Sequence, residues 1–347
     1  MKILHTADIH IGAKNSKLPS DKQMIMKSEN LYQIEQLFIL ANEQGYDAII
    51  ICGDLFHTKS LSNKTINFFF DNVKKYDRPV IYIKGNHDEK FDYTDLPENF
   101  IYLNENRPCF EYQNVVFWTK VDKDFIKQKF DKTKKNLLLL HGNIENQNDN
   151  DYIDIKPYLE IPFDYIAMGH IHQYKIFNIL NKPFVYSGSL LSNGFDECGD
   201  KGFVKIEIED SVKFNFIAFA KRRYMICESD ITDKSNMSLI ISKVKEDINN
   251  CGCKNDDLVR VILKGYFEEN TFKNISLLYE QLGQYFYIEI VDKSKLKIDI
   301  EKYKNELLSF KAELINLVEN QEELDEQQKS LICQLAIEAL KGDDLSI

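Results

Sequence analysis

The chain contains 347 residues, 44% of them hydrophobic, and carries a formal net charge of −11. This length exceeds what one ordinary hydrophobic core organises, so we expect two or three folded units. The charge argues against a surface coated for nucleic-acid binding, but it does not exclude a DNA substrate, because groove charge and bound metal ions can outweigh the global sum.

Three further features of the sequence concern the compartment. No run approaches the ~18 consecutive apolar residues of a membrane span, and Met1 leads straight into a strand-like segment without the pattern of a signal peptide. The seven cysteines form no disulfide framework, and Cys251 and Cys253 lack the second pair that a zinc site would need. We therefore expect a cytoplasmic protein that does not associate with membranes.

Short apolar runs alternate with amphipathic segments over the first two thirds of the chain. The runs are rich in Ile, Val and Leu, as in strands buried on both faces, and they lie at 2–8, 46–54, 79–88, 136–142 and 163–170. Helices are predicted over 63–76 and over 30–45, where apolar residues recur at helical spacing. This order predicts an α/β layered domain over 1–222, closed by three further strands between 183 and 220.

The pattern changes after residue 222. Signals for strand, helix, strand, helix and strand follow one another and predict a small α/β unit over 223–297. Residues 298–347 are charged and helical in period, with Asp325 and Gln328 placed as a capping box. The apolar positions of this helical tail must be buried on its own domain or on a partner; they include Leu331, Leu335 and Leu340.

Side chains of metal-binding type follow five of the predicted strands in turn. A single Asp or His after a strand is usually a turn residue or a helix cap, but five such strand ends make random placement implausible. Because the carboxyl ends of strands in an open α/β sheet gather along one edge, we expect these side chains to meet there. The candidates are Asp8, His10, Asp54, Asn86, His141, His170 and His172.

The seven candidates outnumber the roughly four to six positions of one transition metal ion, so two ions are required if all of them bind. Two cations need a bridging anion, and Asp54 is the natural candidate. With no thiolate in the set, the ligands suit Mn²⁺, Fe²⁺ or Zn²⁺ rather than a Cys-rich structural zinc, and two or more imidazoles per ion disfavour Mg²⁺ and Ca²⁺. Such a pair of ions binds phosphate oxygens and lowers the pKa of a bound water, so the predicted reaction is phosphoester hydrolysis.

His87 directly follows a candidate ligand, and we interpret it as a catalytic residue. We expect its ring to point past the metals toward the leaving group, where it acts as general acid or stabilises the departing oxygen. Asp88 is predicted to fix the tautomer of His87 and to favour its protonated form.

The motifs at the strand ends resemble those of the calcineurin-like metallophosphoesterase superfamily, with its D-x-H, G-D, G-N-H-D/E, H-G and G-H-x-H blocks. Three segments resemble more specifically the SbcD-type DNA double-strand-break repair nucleases. These segments are the opening KILHTADIHIG, GDLFH at 53–57, and YSGSL followed by DKGF within 186–203. The resemblance implies a calcineurin-like layered sheet domain, a small α/β DNA-capping domain at 223–297, and a C-terminal helical tail that docks a partner.

The same resemblance implies roles for individual residues. One metal would be held by Asp8, His10, Asp54 and His172, and the other by Asp54, Asn86, His141 and His170. His57 would help to position DNA, although a histidine packed in a turn explains it as well. The family further implies manganese dependence, a homodimer, double-strand exonuclease and single-strand endonuclease activities, and pairing with an SMC-like coiled-coil ATPase of the SbcC type.

Other readings stay open. The same site chemistry serves enzymes that act on a small phosphodiester, a nucleotide or a phosphoprotein, since a fold does not choose its substrate. A protein that mainly ties an ATPase to DNA, with secondary catalysis, is a third hypothesis. The basic run Lys221, Arg222 and Arg223 fits either a phosphate contact or a solvated linker.

Overall fold

The computed structural model describes residues 1–13, 17–57, 61–88, 95–268, 271, 273–297 and 309–340, with 334, 338 and 340 described through the backbone alone. The chain divides into two compact units, Met1–Tyr224 and Met225–Ile347. The three-part division predicted from sequence, with boundaries after residues 222 and 297, stays a prediction. No helix of the described residues is long and apolar enough to cross a membrane.

The first unit alternates strands and helices in the predicted order. Its strands are β1 (Lys2–Thr6), β2 (Ala48–Cys52), β3 (Val80–Ile83), β4 (Phe100–Leu103), β5 (Cys109–Tyr112), β6 (Val115–Trp118), β7 (Lys135–His141), β8 (Tyr165–Gly169), β9 (Lys175–Ile179), β10 (Lys182–Tyr186), β11 (Gly202–Ile208) and β12 (Val212–Ala218). Its helices are α1 (Ser20–Glu43), α2 (Asn63–Tyr76), α3 (Lys123–Lys129) and α4 (Lys156–Leu159).

Within the described residues, these strands form two six-stranded sheets, a number that was not predicted from the sequence. The first has the order β12-β11-β1-β2-β3-β4, and the second has the order β5-β6-β7-β8-β10-β9. Strands β1 to β4 pair in parallel, as do β6, β7, β8 and β10. The five strands that precede the candidate ligands are therefore divided, with β1, β2 and β3 in one sheet and β7 and β8 in the other.

The two sheets are packed face to face with helices outside. Alternate side chains of each strand point to opposite faces, so Ile3 and Ile50 join an apolar cluster between the sheets while Leu4 and Ile51 join another under α1 and α2. A third cluster lies between the second sheet and the helices α3 and α4. The result is a layered α/β arrangement, as the sequence predicted, in which each fully buried Leu or Ile contributes roughly 1.5–3 kcal/mol.

Helix α1 begins ten residues before the predicted start at residue 30. Its first turns are largely exposed and bury Met26 alone among residues 20–30, so they lack the apolar periodicity on which the prediction depended. Helix α2 has the predicted bounds, and Ser62 caps it by accepting from the backbone N–H of Thr65.

The second unit begins with the predicted order of strands and helices. Its elements are β13 (Tyr224–Asp230), α5 (Met237–Asn250), β14 (Leu258–Lys264), β15 (Tyr266–Phe267), α6 (Ile275–Gln281), β16 (Tyr287–Asp292), β17 (Lys295–Leu296), α7 (Phe310–Glu319) and α8 (Glu326–Leu340). Strands β13, β14 and β16 form a sheet, and an apolar cluster joins it to α5 and α6. The predicted start of the tail, 298–308, lies outside the described residues, as does 341–347.

The tail forms the predicted capping box, and its two helices pack on each other. The backbone N–H of Asp325 donates to Gln328 Oε1 at 3.0 Å, and the backbone N–H of Gln328 donates to Asp325 Oδ1 at 2.8 Å. Cys333 and Ile337 of α8 pack against Ile315 of α7. Leu331 is half exposed and Leu335 partly buried, so the burial of this face on a partner stays a prediction, while the side chain of Leu340 lies outside the described residues.

Candidate metal centre

The candidate ligands lie where the strands of the first unit end. Asp8 and His10 follow β1, Asp54 follows β2, Asn86 begins a short 3₁₀ helix after β3, and His141 closes β7. His170 and His172 follow β8. Because the two sheets are stacked, strand ends from both of them border one centre.

One group of candidate ligands consists of Asp8, His10 and His172, whose ligand atoms lie within 4.8 Å of one another. The Nε2 atoms of His10 and His172 are 3.2 Å apart, and His10 Nε2 is 3.6 Å from Asp54 Oδ2. A metal held by two imidazoles at ~2.1 Å each, in tetrahedral or octahedral geometry, places their nitrogens about 3.0–3.4 Å apart. The spacing of these side chains therefore suits a shared cation.

A second group consists of Asp8, Asp54 and His141. His141 Nε2 is 3.5 Å from Asp54 Oδ2 and 3.0 Å from the side-chain oxygen of Asn86. The same Asp54 oxygen thus faces His10 in the first group and His141 in the second. This position between the two groups is the one that a bridging carboxylate would need.

His170 stands apart from the other candidates. Its backbone N–H donates to both carboxylate oxygens of Asp8, at 3.0 and 3.1 Å, while its ring centroid is 5.4 Å from that of His141. The ring also belongs to a group with Asp149 and Asp151, and its Nε2 is 4.0 Å from Asp149 Oδ2. Its backbone therefore holds Asp8, and its side chain borders the second group.

The Nδ1 atoms of two candidate ligands are anchored. His141 Nδ1 is 2.8 Å from the carbonyl oxygen of Cys52, and His172 Nδ1 is 2.7 Å from Glu197 Oε1. Both partners are acceptors, so Nδ1 carries the hydrogen in each ring and the lone pair is left on Nε2. In both residues Nε2 is the atom that faces the other candidate ligands.

The backbone at these strand ends is strained. Asp8, His10, Asp54 and His170 have φ values of 51°, 47°, 51° and 98°, a region that residues other than glycine rarely adopt. Backbone hydrogen bonds between the loops after β1 and β2 hold this geometry. The Asp8 N–H donates to the carbonyl oxygen of Gly53 at 3.1 Å, and the His10 N–H donates to the carbonyl oxygen of Asp54 at 2.9 Å. Strained backbone of this kind clusters at functional sites.

Burial shifts the protonation of the candidate ligands in the metal-free protein. It raises the pKa of Asp8 to about 6 and lowers the pKa of His10 to about 4. Burial also opposes the charged forms of Asp54 and His141, but their hydrogen bond and attraction dominate and bring the pKa of Asp54 to about 2 and that of His141 to about 9. Positive charge on His141 thus stabilises Asp54, and a cation can supply that charge instead and leave Nε2 unprotonated.

Residues 1–174 match the family model described as calcineurin-like phosphoesterase. The chain belongs to this family. The resemblance inferred from the motifs and the predicted fold class are thereby confirmed, and the nitrogen- and oxygen-rich donor set fits the divalent metal ions that the family implies.

The phosphoesterase is also similar to individual proteins. It shares 27% identity over 286 residues with the SbcD component of the nuclease SbcCD from Staphylococcus epidermidis, a match that covers 67% of this chain and 74% of that protein. Among solved structures, a dimetal phosphatase from Danio rerio matches 63% of this chain and 99% of its own, with 8% identity and a TM-score of 0.44. An archaeal phosphodiesterase matches 62% of this chain and 100% of its own, with 15% identity and a TM-score of 0.36.

The candidate catalytic residue His87 lies next to His57 at the edge of the centre. His87 is exposed; its ring centroid is 5.0 Å from that of His10, and its backbone N–H donates to Asp54 Oδ1 at 2.9 Å. His57, the candidate for substrate positioning, stacks on His87 at 5.8 Å, and the ligand atoms of His10, His57 and His87 form a group. His87 thus lies at the open side of the centre.

Asp88, whose tautomer-fixing role stays a prediction, is held by hydrogen bonds to the residues around it. It is fully buried, and its carboxylate accepts from the backbone N–H groups of Leu55, Phe56 and Gly85 and from the Tyr82 hydroxyl, at 2.7–3.2 Å. The bonds from Leu55 and Phe56 tie the turn after β3 to the loop that carries Asp54, and the other two bonds fix Asp88 within its own turn. Asp88 therefore fixes the position of the loop that carries Asp54.

Some residues of the centre were not predicted from the sequence. Glu197, Asp149 and Asp151 lie in loops far along the chain from the histidines that they approach, and no spacing pattern connects them. The position of Glu197 between YSGSL and DKGF, the segments that resemble SbcD-type nucleases, is the one sequence feature that could have marked it as a candidate.

Two cavities of the phosphoesterase adjoin the centre. One of about 480 Å³ borders His141 and is lined by polar groups that include Lys84, Asn104 and Lys120. Another of about 350 Å³ borders His10, with a mixed lining that includes Gln23 and Leu191. Each cavity thus includes one candidate ligand among its lining residues.

The basic run after β12 is engaged with acidic partners. Arg222 forms two bonds to Glu29, at 2.6 and 2.8 Å, Lys221 contacts the same carboxylate at 2.7 Å, and Arg223 lies 3.4 Å from Asp200. These pairs favour the linker interpretation over the phosphate contact.

Proposed function

We propose that this phosphoesterase is a metal-dependent DNA nuclease subunit that hydrolyses phosphodiester bonds during DNA repair, as part of an SbcCD-type complex. The observation that carries the proposal is the pair of adjacent ligand groups beside the exposed His87: Asp8 belongs to both groups, and Asp54 Oδ2 faces a histidine of each. The sequence similarity to a nuclease component supports DNA as the substrate.

The centre would hold two divalent ions, with manganese as the proposed metal. Asp8, His10, Asp54 and His172 would hold one ion, and Asp54, Asn86, His141 and His170 the other. When bound, the ions supply positive charge to the phosphate oxygens and lower the pKa of a water that attacks phosphorus. The anchored Nδ1 atoms of His141 and His172 keep their Nε2 lone pairs turned inward for this purpose.

His87 is proposed to act as the general acid at the leaving oxygen. Its backbone bond to Asp54 fixes its position relative to the centre, and its exposed ring is accessible to a substrate. His57, stacked on its face, is proposed to position the DNA backbone. A positioned acid of this kind contributes roughly 10²–10⁴-fold to the rate.

The remaining parts of the proposal concern assembly. The small α/β unit is proposed to cap the DNA, the helical tail to bind an SMC-like ATPase, and α1 to contribute to a homodimer. Support comes from large apolar side chains that α1 and the tail expose, namely Met24, Tyr32, Ile39, Phe310, Leu317 and Leu331. Contiguous exposed apolar patches mark surfaces where partners bind, and these side chains are the proposed contributors to such patches.

A nuclease assay tests the proposal. Purified protein with Mn²⁺ is incubated with end-labelled linear duplex DNA and, separately, with a small aryl phosphodiester. We expect cleavage of the DNA, and a decrease of about 10²–10⁴-fold in His87→Ala while metal binding by calorimetry is retained. Asp54→Ala should lose both metal ions and the activity.

The alternative substrate class has a defined outcome in the same assay. The cavity beside His141 is also large enough for a small phosphoester, which favours that alternative. Hydrolysis of the aryl ester without any attack on DNA, with and without a partner ATPase, would contradict the nuclease proposal. Loss of metal from His87→Ala would contradict the role given to that histidine.

A further inference from the structure

We propose that Glu197 is a positioning residue of the metal centre, which presents the Nε2 atom of His172 to one of the two metal positions. The inference rests on the metal centre of the proposed function and adds to it a residue outside the seven candidate ligands. Its chemistry is that of a carboxylate that orients a metal-binding imidazole and increases its basicity.

The first step of the argument is the geometry of the His172 ring. Its Nδ1 atom is 2.7 Å from Glu197 Oε1, and its Nε2 atom is 3.2 Å from His10 Nε2. An ionised carboxylate only accepts hydrogen bonds, so the bond to Glu197 places the hydrogen on Nδ1. Nε2 then keeps its lone pair, as a metal ligand must.

The second step is that Glu197 is itself held in place. Its side chain is only 10% exposed. The second carboxylate oxygen, Oε2, accepts from the backbone N–H of Asn193 at 3.2 Å and lies 3.3 Å from the Ser189 hydroxyl, whose single hydrogen is shared between Oε2 and the His172 carbonyl oxygen, also at 3.3 Å. The Ser192 hydroxyl donates to the Glu197 carbonyl at 2.6 Å. Side chain and backbone are both fixed, so the carboxylate determines the orientation of the ring.

The third step is that the same segment also holds the backbone of His172. The carbonyl oxygen of His172 accepts from the backbone N–H of Ser189 at 3.1 Å and from the buried Lys201 ammonium at 2.5 Å. Residues 189–201 therefore bind His172 both at its ring and at its backbone carbonyl. A segment that served only to connect β10 and β11 would not need buried charged groups at these two points.

The comparison with His141 makes the inference specific. There the Nδ1 partner is a backbone carbonyl, that of Cys52, which side-chain substitution does not remove. A change at Glu197 should therefore disturb the metal position that includes His172 and spare the position that includes His141.

Calorimetric titration of the metal-free full-length protein with Mn²⁺ tests the inference without depending on activity. We expect two binding events in the wild type, and in Glu197→Gln one event unchanged and the other weakened about 10- to 100-fold. Glu160→Gln is the matched control, because it makes the same carboxylate-to-amide change at an exposed residue paired with Lys127. His172→Asn should weaken the same event as Glu197→Gln, which identifies the affected position.

Several outcomes would overturn the inference. The inference would be refuted if Glu197→Gln bound both Mn²⁺ ions with the affinities of the wild type. It would also be refuted if the affinities of both binding events decreased equally. If Glu197→Gln does not fold, as judged by thermal unfolding of the metal-free protein, Ser189→Ala removes one donor to Oε2 and should weaken the same event to a smaller extent; an unchanged affinity there would also refute it. A wild type that binds no metal at all would instead refute the metal centre of the proposed function.

Discussion

The strands that lead to the metal centre differ between their middles and their carboxyl ends. In the middles, the backbone is regular and the residues are buried; β2, β3 and β8 are buried along their whole length. At the ends, Asp8, Asp54 and His170 take positive φ values, and polar side chains gather in place of apolar ones. Two or three residues separate these two kinds of structure.

The difference shows how strain at a site is supported. Each residue held at positive φ costs on the order of 1–3 kcal/mol, which favourable contacts in the surrounding fold must offset. Apolar burial in the strand middles stabilises the fold. The hydrogen bonds between the loops after β1 and β2 hold the strand ends in their positive-φ conformations. Substitutions at the ends should therefore affect metal binding first, and substitutions in the middles should affect the free energy of unfolding first.

Gly85→Ala should give the largest effect, and it acts at a strand end. A Cβ atom at residue 85 would run into the backbone nitrogen and the carboxylate of Asp54, so the shared ligand would have to move. Because a displacement of about 1 Å in a catalytic geometry costs about 100-fold, we expect at least that loss of hydrolytic rate and a weaker affinity for Mn²⁺. Initial-rate assays and calorimetry measure the two quantities.

Gly283→Ala is the matched control for this substitution. The added methyl group would there meet only the carbonyl oxygens of Glu280 and Tyr279, at 3.4 and 3.8 Å. Wild-type metal affinity in Gly85→Ala would show that the turn after β3 tolerates a side chain, contrary to the close approach seen in the structure.

The middles and the ends also differ in how well the sequence predicts them. Runs such as AIIIC and YIAMG are apolar throughout, so strand type and burial follow directly from composition. The ends were predicted because metal ligands are few in type and recur after each strand. Both predictions depend on residues adjacent in sequence, and both located the elements that the structure contains.

Contacts between distant residues were not predicted for the same reason. Periodicity within one strand does not state which sheet it joins, so the division into two sheets was missed. Glu197 meets His172 across 25 residues, and Asp88 turns to Leu55 and Phe56 although its neighbour in sequence is His87. Local patterns identify which groups are present, whereas tertiary packing decides which groups meet.

Leu139→Ala tests the middle of a strand two residues before His141. Leu139 is fully buried in the cluster between the sheets, so its truncation should lower the free energy of unfolding by about 2–5 kcal/mol. Urea denaturation of the metal-free protein measures this change. Below the unfolding transition we expect Mn²⁺ affinity within a few-fold of wild type; a loss as large as in Gly85→Ala would remove the distinction between middles and ends.

His5 is the polar exception among the strand middles and gives the smallest predicted effect. It is fully buried in β1, its Nδ1 atom is 2.9 Å from the Tyr165 hydroxyl of the facing sheet, and burial, partly offset by the Met168 backbone, lowers its pKa to about 3. The unfolded chain has the ordinary value of 6.5. Between these two values the unfolded state binds a proton that the folded state does not.

Folding stability should therefore increase with pH from about 3 to 6.5 through His5, and this contribution should be constant above that window. One proton corresponds to a limiting slope of about 1.4 kcal/mol per pH unit. His5→Gln removes the titration, so the difference in unfolding free energy between variant and wild type should shift in favour of the variant as pH falls from 7 to 5. Measuring slopes instead of absolute values separates the titration from the packing change, and parallel curves would show that His5 titrates alike in both states.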